Sequence, residues 1–421
     1  MTFLQILLTV LICTRYLFER ILAFSNVKTV KANLEKLPDE VTGYMAEKDW
    51  QKCSEYTLAK SRFSAFEDLF SLCLSLFILF FALPWVFFNW PTGKDSPIWE
   101  ISLLVSSMVL VLQLPGFVFD WFRQFSLEQK FGFNNQTQNL WIMDKIKETL
   151  LSFVFLGLMI GVLVFFYREF SAFSPNYWWF WSFGGVFFLQ LALMVLWPRF
   201  ILPLFNTLSP LNDDGLSEKL HNLANKTGFK AKEIQVIDGS KRSGHSNAFF
   251  TGFGRFRKIV LYDTLLEQMN ESEIEAVVAH EIGHYRLGHI PKRLALSLIF
   301  GWGFFYLLHI LLSSDWLITQ LNLSDELVGA FAPVFLIALF FGGCFSYWLN
   351  PLSNMLSRKH EFEADKFAGE AIGGASALKS ALRKLCTKNL SYPLPHPWLS
   401  YFHHSHPSLP ERELNLSQVN Q

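Results

Sequence analysis

The chain has 421 residues, 51% hydrophobic, 17% aromatic and only 17% charged, with a mean hydropathy of +0.26, a composition that excludes an ordinary water-soluble globule. The 36 Lys plus Arg balance 36 Asp plus Glu without forming a basic stripe, so nucleic acid is not an expected partner. The five cysteines (Cys13, Cys53, Cys73, Cys344, Cys386) are widely spaced and never form C-x-x-C, which leaves His and carboxylate side chains to hold any metal.

In chain order, seven apolar runs are long enough to cross about 30 Å of hydrocarbon as helices. They lie near 3–24, 69–90, 98–119, 150–167, 177–197, 294–312 and 328–348. The first is expected to be an uncleaved anchor, since no Lys or Arg precedes Arg15 and no small-residue cleavage site follows. Between the runs, segments 25–66, 120–149, 198–293 and 349–421 hold 32 of the 36 lysines and arginines; the alternate connections hold only Lys94 and Arg168. Positive segments stay inside. An outside or lumenal N-terminus and a cytoplasmic C-terminus are therefore expected.

Residues 1–197 would then carry helices 1–5 with cytoplasmic segments 25–66 and 120–149, and residues 294–348 would carry helices 6 and 7. The amphipathic stretch 31–66 is expected along the cytoplasmic surface or capping the bundle. Segments 198–293 and 349–421 are each small for an independent core, so we read them as two parts of one catalytic domain.

The chemistry concentrates in Glu271 to His284. Ser272 and Glu275 suggest a capping box, the interior is rich in Ala and Val, and Pro291 is expected to mark the helix end beyond His289. His280 and His284 lie one turn apart on one helix face, so both imidazoles can bind one Zn²⁺. Glu281 beside them is placed to move a proton between water and a leaving amine, the chemistry of H-E-x-x-H. A catalytic zinc needs a third protein ligand, and Glu361 is the best candidate, with Asp365 one turn later placed to accept the second ring N–H of a ligand imidazole. His360 and Glu363 point away from Glu361, and His289 reads as a surface or supporting histidine.

Asn247 to Gly254 and Lys258 to Tyr262 read as a hairpin or strand pair whose edge can bind an extended substrate, with core packing as the competing reading for its aromatics. Near the end, His403 to Arg412 concentrates imidazoles and a guanidinium, one of which can stabilise an oxyanion; a solvated tail is the alternative.

The chain resembles the type I CAAX prenyl endopeptidases, seven-helix integral-membrane zinc metalloproteases. The resemblance rests on Phe125 to Asn134 with Thr137, then Pro203 to Asn206, Ser246 to Phe249, His280 to His284, Glu361 to Asp365, and His406-Pro407. It implies one Zn²⁺ per chain held by His280, His284 and Glu361, Glu281 as base and Asp365 supporting a ligand. Asn247 and Ala248 then match a substrate-aligning strand, and His406 and Arg412 match positions near the substrate. The implied fold class is an α-helical polytopic membrane protein. Seven transmembrane helices enclose a chamber, joined to a split, mainly α zinc-metalloprotease domain containing a small β-hairpin or sheet. The implied partners are the lipid bilayer and a peptide or protein substrate, its C-terminal C-a-a-X Cys prenylated. A membrane quality-control zinc protease without a prenyl requirement is the alternative. A zinc transporter or scaffold is disfavoured, because spans after the first hold almost no ionisable residues. The tail Ser417 to Gln421 shows no Lys-rich or K-D-E-L-type retrieval signal, which favours a bacterial inner membrane over the endoplasmic reticulum.

Overall fold

A backbone in hydrocarbon has no water to satisfy its N–H and C=O groups, so the long apolar runs must fold as helices. The computed structural model describes residues 1–229, 233–251 and 257–418. Its first half holds α1 (Phe3–Ala32), α2 (Glu47–Phe77), α3 (Leu83–Asn89), α4 (Ile98–Phe122), α5 (Gln138–Phe173) and α6 (Trp178–Phe200). Then come β1 (Leu208–Pro210), α7 (Asp214–Lys226), β2 (Glu233–Ile237), β3 (Ala248–Thr251), β4 (Lys258–Tyr262) and α8 (Glu271–Arg286). The remainder holds α9 (His289–Leu312), α10 (Phe331–Ser346), α11 (Asn350–Ile372), α12 (Ser376–Lys388) and α13 (Leu409–Ser417).

Six helical stretches among the described residues are long and apolar enough to cross a membrane: Glu47–Asn89, Ile98–Phe131, Gln138–Phe173, Trp178–Phe205, His289–Leu312 and Phe331–Ile372. Helix α1 makes the seventh expected run, but its apolar stretch carries Arg15, Glu19 and Arg20. Those charges have partners: Arg20 pairs with Asp68, Glu19 lies 3.0 Å from His403 Nε2, and Arg15 sits 5.0 Å from the Tyr347 ring centre. Inward pairing is what ionisable groups at membrane depth require. The count of seven thus includes α1 and is six without it.

Several helices outrun their apolar segments. Helix α5 starts at Gln138, where Thr137 Oγ1 accepts from the Leu140 N–H at 3.2 Å. Residues 31–66 do not lie as a separate surface helix. They form the end of α1, a turn containing Pro38 and Gly43, and the start of α2, because helix-compatible polar residues flank the turn on both sides. Val41, Met45 and Trp50 are buried against the zinc-motif domain, and Trp50 Nε1 donates to the Asn33 carbonyl at 2.7 Å.

The four-stranded sheet has the order β1-β2-β4-β3, with β2 and β4 parallel and the outer pairs antiparallel. The expected strand pair is β3 with β4; Gly252, Phe253 and Gly254 between them lie outside the described residues. Leu220, Phe229, Leu261 and Ile274 share one buried core with Ala368, Leu378 and Leu416. Residues from both sides of α9 and α10 therefore build a single hydrophobic interior. The connection after α4 and the start of α5 dock on this domain: Phe133 stacks on the His245 ring at 4.0 Å, and Asp144 Oδ2 of α5 lies 2.9 Å from Arg242 Nε.

The start of α8 differs from the expected capping box. The N-cap is Asn270, whose Oδ1 accepts from the Glu273 N–H at 3.0 Å while Glu273 Oε2 accepts from the Asn270 N–H at 2.9 Å. Ser272 and Glu275 instead face Lys219, at 3.1 and 3.3 Å. Both pairs have the required spacing, but only Glu273 is buried, where Ser380 Oγ (2.6 Å) and Lys384 Nζ (2.7 Å) also donate to it. Pro291 does not end α8 either. Gly288, at φ 70°, turns the chain, and Pro291 sits in the first turn of α9, where its missing N–H costs nothing.

Burial opposes charge on Glu273, but Lys384 and Ser380 outweigh it and hold the carboxyl below its usual range. Glu273→Ala is expected to destabilise the protein by about 1–2 kcal/mol at neutral pH. Because the folded value is the lower one, this contribution is complete above the ordinary carboxylate range and disappears as pH falls through the folded value. Thermal unfolding in detergent should show the gap from wild type closing in acid.

Candidate metal centre

Helix α8 can approach α11 closely because residue 283 is glycine. A Cβ there would meet Ala364 Cα at 3.1 Å, the Ala364 carbonyl at 3.2 Å and Phe367 Cδ1 at 3.2 Å. Three residues before Ala364, Glu361 is brought against the two imidazoles of α8. His280 Nε2 and His284 Nε2 are 3.2 Å apart, and Glu361 Oε2 and Oε1 lie 3.4 and 3.3 Å from them respectively. Tetrahedral bonds of about 2.0–2.1 Å place neighbouring ligand atoms about 3.3–3.4 Å apart, so this triangle has the dimensions of a zinc site. Glu361 Oε2 is buried and accepts no hydrogen bond, an orphaned acceptor that a cation would satisfy. The residues fit the metal.

Behind the triangle, Asp365 is completely buried, with Oδ1 2.8 Å from His280 Nδ1. With Nε2 turned into the triangle, the Nδ1–H of His280 donates to this carboxylate. Arg412 holds Asp365 with two nitrogens, Nε donating to Oδ2 at 2.8 Å, and its Nη1 lies 3.8 Å from Glu361 Oε2. Burial disfavours charge on His280, yet Asp365 and Glu361 outweigh it and raise the imidazole to about 9. A cation entering here displaces a firmly held proton. On Glu281, burial raises the carboxyl above its usual range despite the nearby imidazoles, the direction that suits a general base.

Glu281, His280, His284 and Glu361 line a cavity of about 1070 Å³. Phe249 and Phe250 of β3 reach the same cavity, as do Ile290, Leu296 and Phe300 of α9 and Leu352 and Leu356 of α11. The exposed His406 stands at its rim, with Nε2 3.4 Å from Glu361 Oε1. Arg412 is placed differently from His406: its guanidinium is buried on Asp365, behind the imidazole and outside this cavity's lining. Asn247 is exposed just ahead of β3, its carbonyl accepting from the Tyr262 N–H at 3.1 Å, whereas Ala248 is buried. Strand β3 ends the sheet, with one edge unpaired among the described residues.

Sequence reasoning missed three features. Phe249 and Phe250 line the cavity, a role that alternation along a strand cannot distinguish from core packing. His289, read from the sequence as either a surface or a supporting histidine, and His360, read as pointing away, are both buried and stack with ring centres 3.9 Å apart. Gly283 carried a signal that was readable in principle: a glycine inside an Ala- and Val-rich helix marks a close approach.

Metal analysis of the purified protein should find His280→Ala and Glu361→Ala depleted of zinc. Gly283→Ala is expected to weaken zinc binding several-fold, measured by chelator competition, because the added methyl forces α11 and Glu361 outward.

Comparison with known proteins identifies the family. The model described as "CAAX prenyl protease N-terminal, five membrane helices" matches residues 26–207, and that of "Peptidase family M48" matches residues 210–419. The chain is 33% identical over 436 residues to CAAX prenyl protease 1 of Saccharomyces cerevisiae, covering 97% of this chain and 94% of that protein. To the CAAX prenyl protease 1 homolog of Oryza sativa it is 32% identical over 414 residues, covering 94% and 93% respectively. The crystal structure of S. mikatae Ste24p matches with a TM-score of 0.83 at 31% identity, over 98% of both chains. Matched along nearly its whole length, the chain belongs to the CAAX prenyl protease 1 family, multi-pass membrane zinc metalloendopeptidases of peptidase family M48.

Proposed function

We propose that this chain removes the last three residues of C-terminal C-a-a-X sequences whose Cys is prenylated, using one Zn²⁺ held by His280, His284 and Glu361. The observation that carries the reading is the cavity wall, where Ile290, Leu296, Phe300, Leu352 and Leu356 form an apolar surface leading to Glu281 and both imidazoles. A prenylated peptide needs polar chemistry at one bond and burial for a hydrocarbon chain nearby. Such burial contributes about 0.8 kcal/mol per CH₂.

Bound zinc supplies Lewis acidity toward the scissile carbonyl and makes water acidic enough to attack near neutrality. Glu281 takes the proton from the attacking water and delivers it to the leaving amine. His406 donates to the carbonyl oxygen as it gains charge. Asp365, held by Arg412, fixes the tautomer and direction of His280. Asn247, Ala248 and the free edge of β3 align the substrate in extended form, pairing its backbone by strand addition. Residues 198–293 and 349–421 form the protease domain on the cytoplasmic side, with the N-terminus outside, a reading supported by the Lys and Arg distribution. The spans between contact the lipid bilayer.

The test is hydrolysis of a farnesylated C-a-a-X peptide beside its unprenylated twin. The prenylated peptide should be cleaved about tenfold or more efficiently, and a chelator should abolish cleavage. Equal cleavage of the two would move the assignment to membrane-protein quality control. Glu281→Gln should keep its zinc while kcat falls about 10²–10⁴-fold; undiminished turnover would refute Glu281 as base.

A further inference from the structure

The two candidate ligand imidazoles are supported differently. His280 rests directly on Asp365, whereas the nearest partner of His284 Nδ1 is another histidine. His289 Nδ1 lies 2.9 Å from it, and His289 Nε2 lies 3.0 Å from Glu363 Oε2. His289 is in this position because Gly288 reverses the chain after α8, setting the first residue of α9 back against the last turn. Glu363 arrives from α11, two residues beyond Glu361.

We infer that His289 and Glu363 are positioning residues for zinc: together they form a hydrogen-bonded relay that orients His284 as Asp365 orients His280. The inference rests on the reading of His284 as a metal ligand. Proton bookkeeping then fixes the direction of each bond. Nε2 of His284 faces Glu361 and His280, so its ring proton is on Nδ1. Of two facing nitrogens only one carries hydrogen, so His289 Nδ1 accepts. The His289 proton is therefore on Nε2, which donates to the Glu363 carboxylate. The relay ends on an anion, which stabilises each donor in turn and makes His284 a stronger ligand. His360 supports it from the side, its ring 10° from parallel with His289.

The same residues admit a rival, since ligand atoms of His289, His360 and Glu363 lie within 4.8 Å of one another and can be imagined holding a second ion. The stacking argues against it. Lone pairs of two parallel rings lie in parallel planes and do not converge on one ion, and both His289 nitrogens already have partners.

The experiment measures zinc affinity of the purified full-length protein by competition with a fluorescent chelator, with zinc stoichiometry and thermal unfolding alongside. His289→Ala and His289→Phe should each weaken zinc about 10- to 100-fold. His289→Gln, whose side-chain carbonyl can accept from His284, should recover a large part of that loss, although Phe preserves the stacked shape better. Glu363→Gln, on a half-exposed side chain that does not threaten folding, should weaken zinc several-fold, and Glu370→Gln on the same helix should leave it unchanged. Unaltered affinity in His289→Phe and Glu363→Gln would overturn the relay, as would two zinc ions per chain. Recovery by Phe but not Gln would overturn it in favour of packing. If His284→Ala itself retains full zinc, the ligand assignment fails instead, an outcome separable from failure of the relay.

Discussion

The site depends on one steric permission, the absence of a side chain at Gly283. Helix α8 supplies two imidazoles to the cluster, and α11 supplies the carboxylates that face them. Only where the two backbones nearly touch, at Gly283 and Ala364, can Glu361 span from one helix to the other. The remaining geometry is periodicity. His280 and His284 are a turn apart on α8, Glu361 and Asp365 a turn apart on α11, so one contact between the helices registers all four side chains. The buried Ala276, Ala279, Ala364 and Ala368 along the same seam keep the approach close over several turns.

Bringing these groups together inside protein concentrates charge. Glu361 and Asp365 are negative and buried, Arg412 is positive with its side chain only 11% exposed, and Glu281 sits at the cavity edge. Burying charges is unfavourable unless they are paired and hydrogen-bonded. Arg412 answers Asp365 with two bonds and reaches Glu361 Oε2 only at 3.8 Å, so that buried oxygen faces the imidazoles without a hydrogen bond. A divalent cation in the triangle balances Glu361 and Glu281 together. A cation in the triangle would take the place of the His280 proton, and the donor set, two imidazoles and a carboxylate, suits zinc better than harder ions that prefer all-oxygen shells.

How much of this was legible follows from which interactions are local. The spans, the zinc helix and the pairing of Glu361 with Asp365 are repeats of short period, visible in the residues that carry them. The capping box was displaced because Ser272 with Glu275 and Asn270 with Glu273 satisfy the same spacing, and the choice was made by Ser380 and Lys384 on a distant helix. Pro291 reads equally as the end of one helix or the beginning of the next, and the left-handed Gly288 decides it. Residues 31–66 have helical amphipathicity, but their partner surface lies in the protease domain far along the chain. The sequence left His289 open between surface and supporting for the same reason: its carboxylate partner, Glu363, comes from α11, a segment that two spans separate from it.

That separation bears on what surrounds the His/Glu cluster. Helix α9 leaves the zinc helix after a single glycine turn, and α10 runs through Tyr347–Leu349 almost without interruption into α11. Both halves of the centre are therefore rigid extensions of membrane-type helices rather than lobes on flexible linkers. The cavity wall comes from those same junctions, Ile290 and Leu296 on one side, Leu349 and Leu352 on the other. On the proposed function, an apolar chain along this wall would stay within the hydrocarbon-like part of the cavity while a peptide bond at its end met Glu281, the two environments already adjoining in the structure. The two helices between residues 293 and 349 thus join the His/Glu cluster to an apolar surface within one pocket.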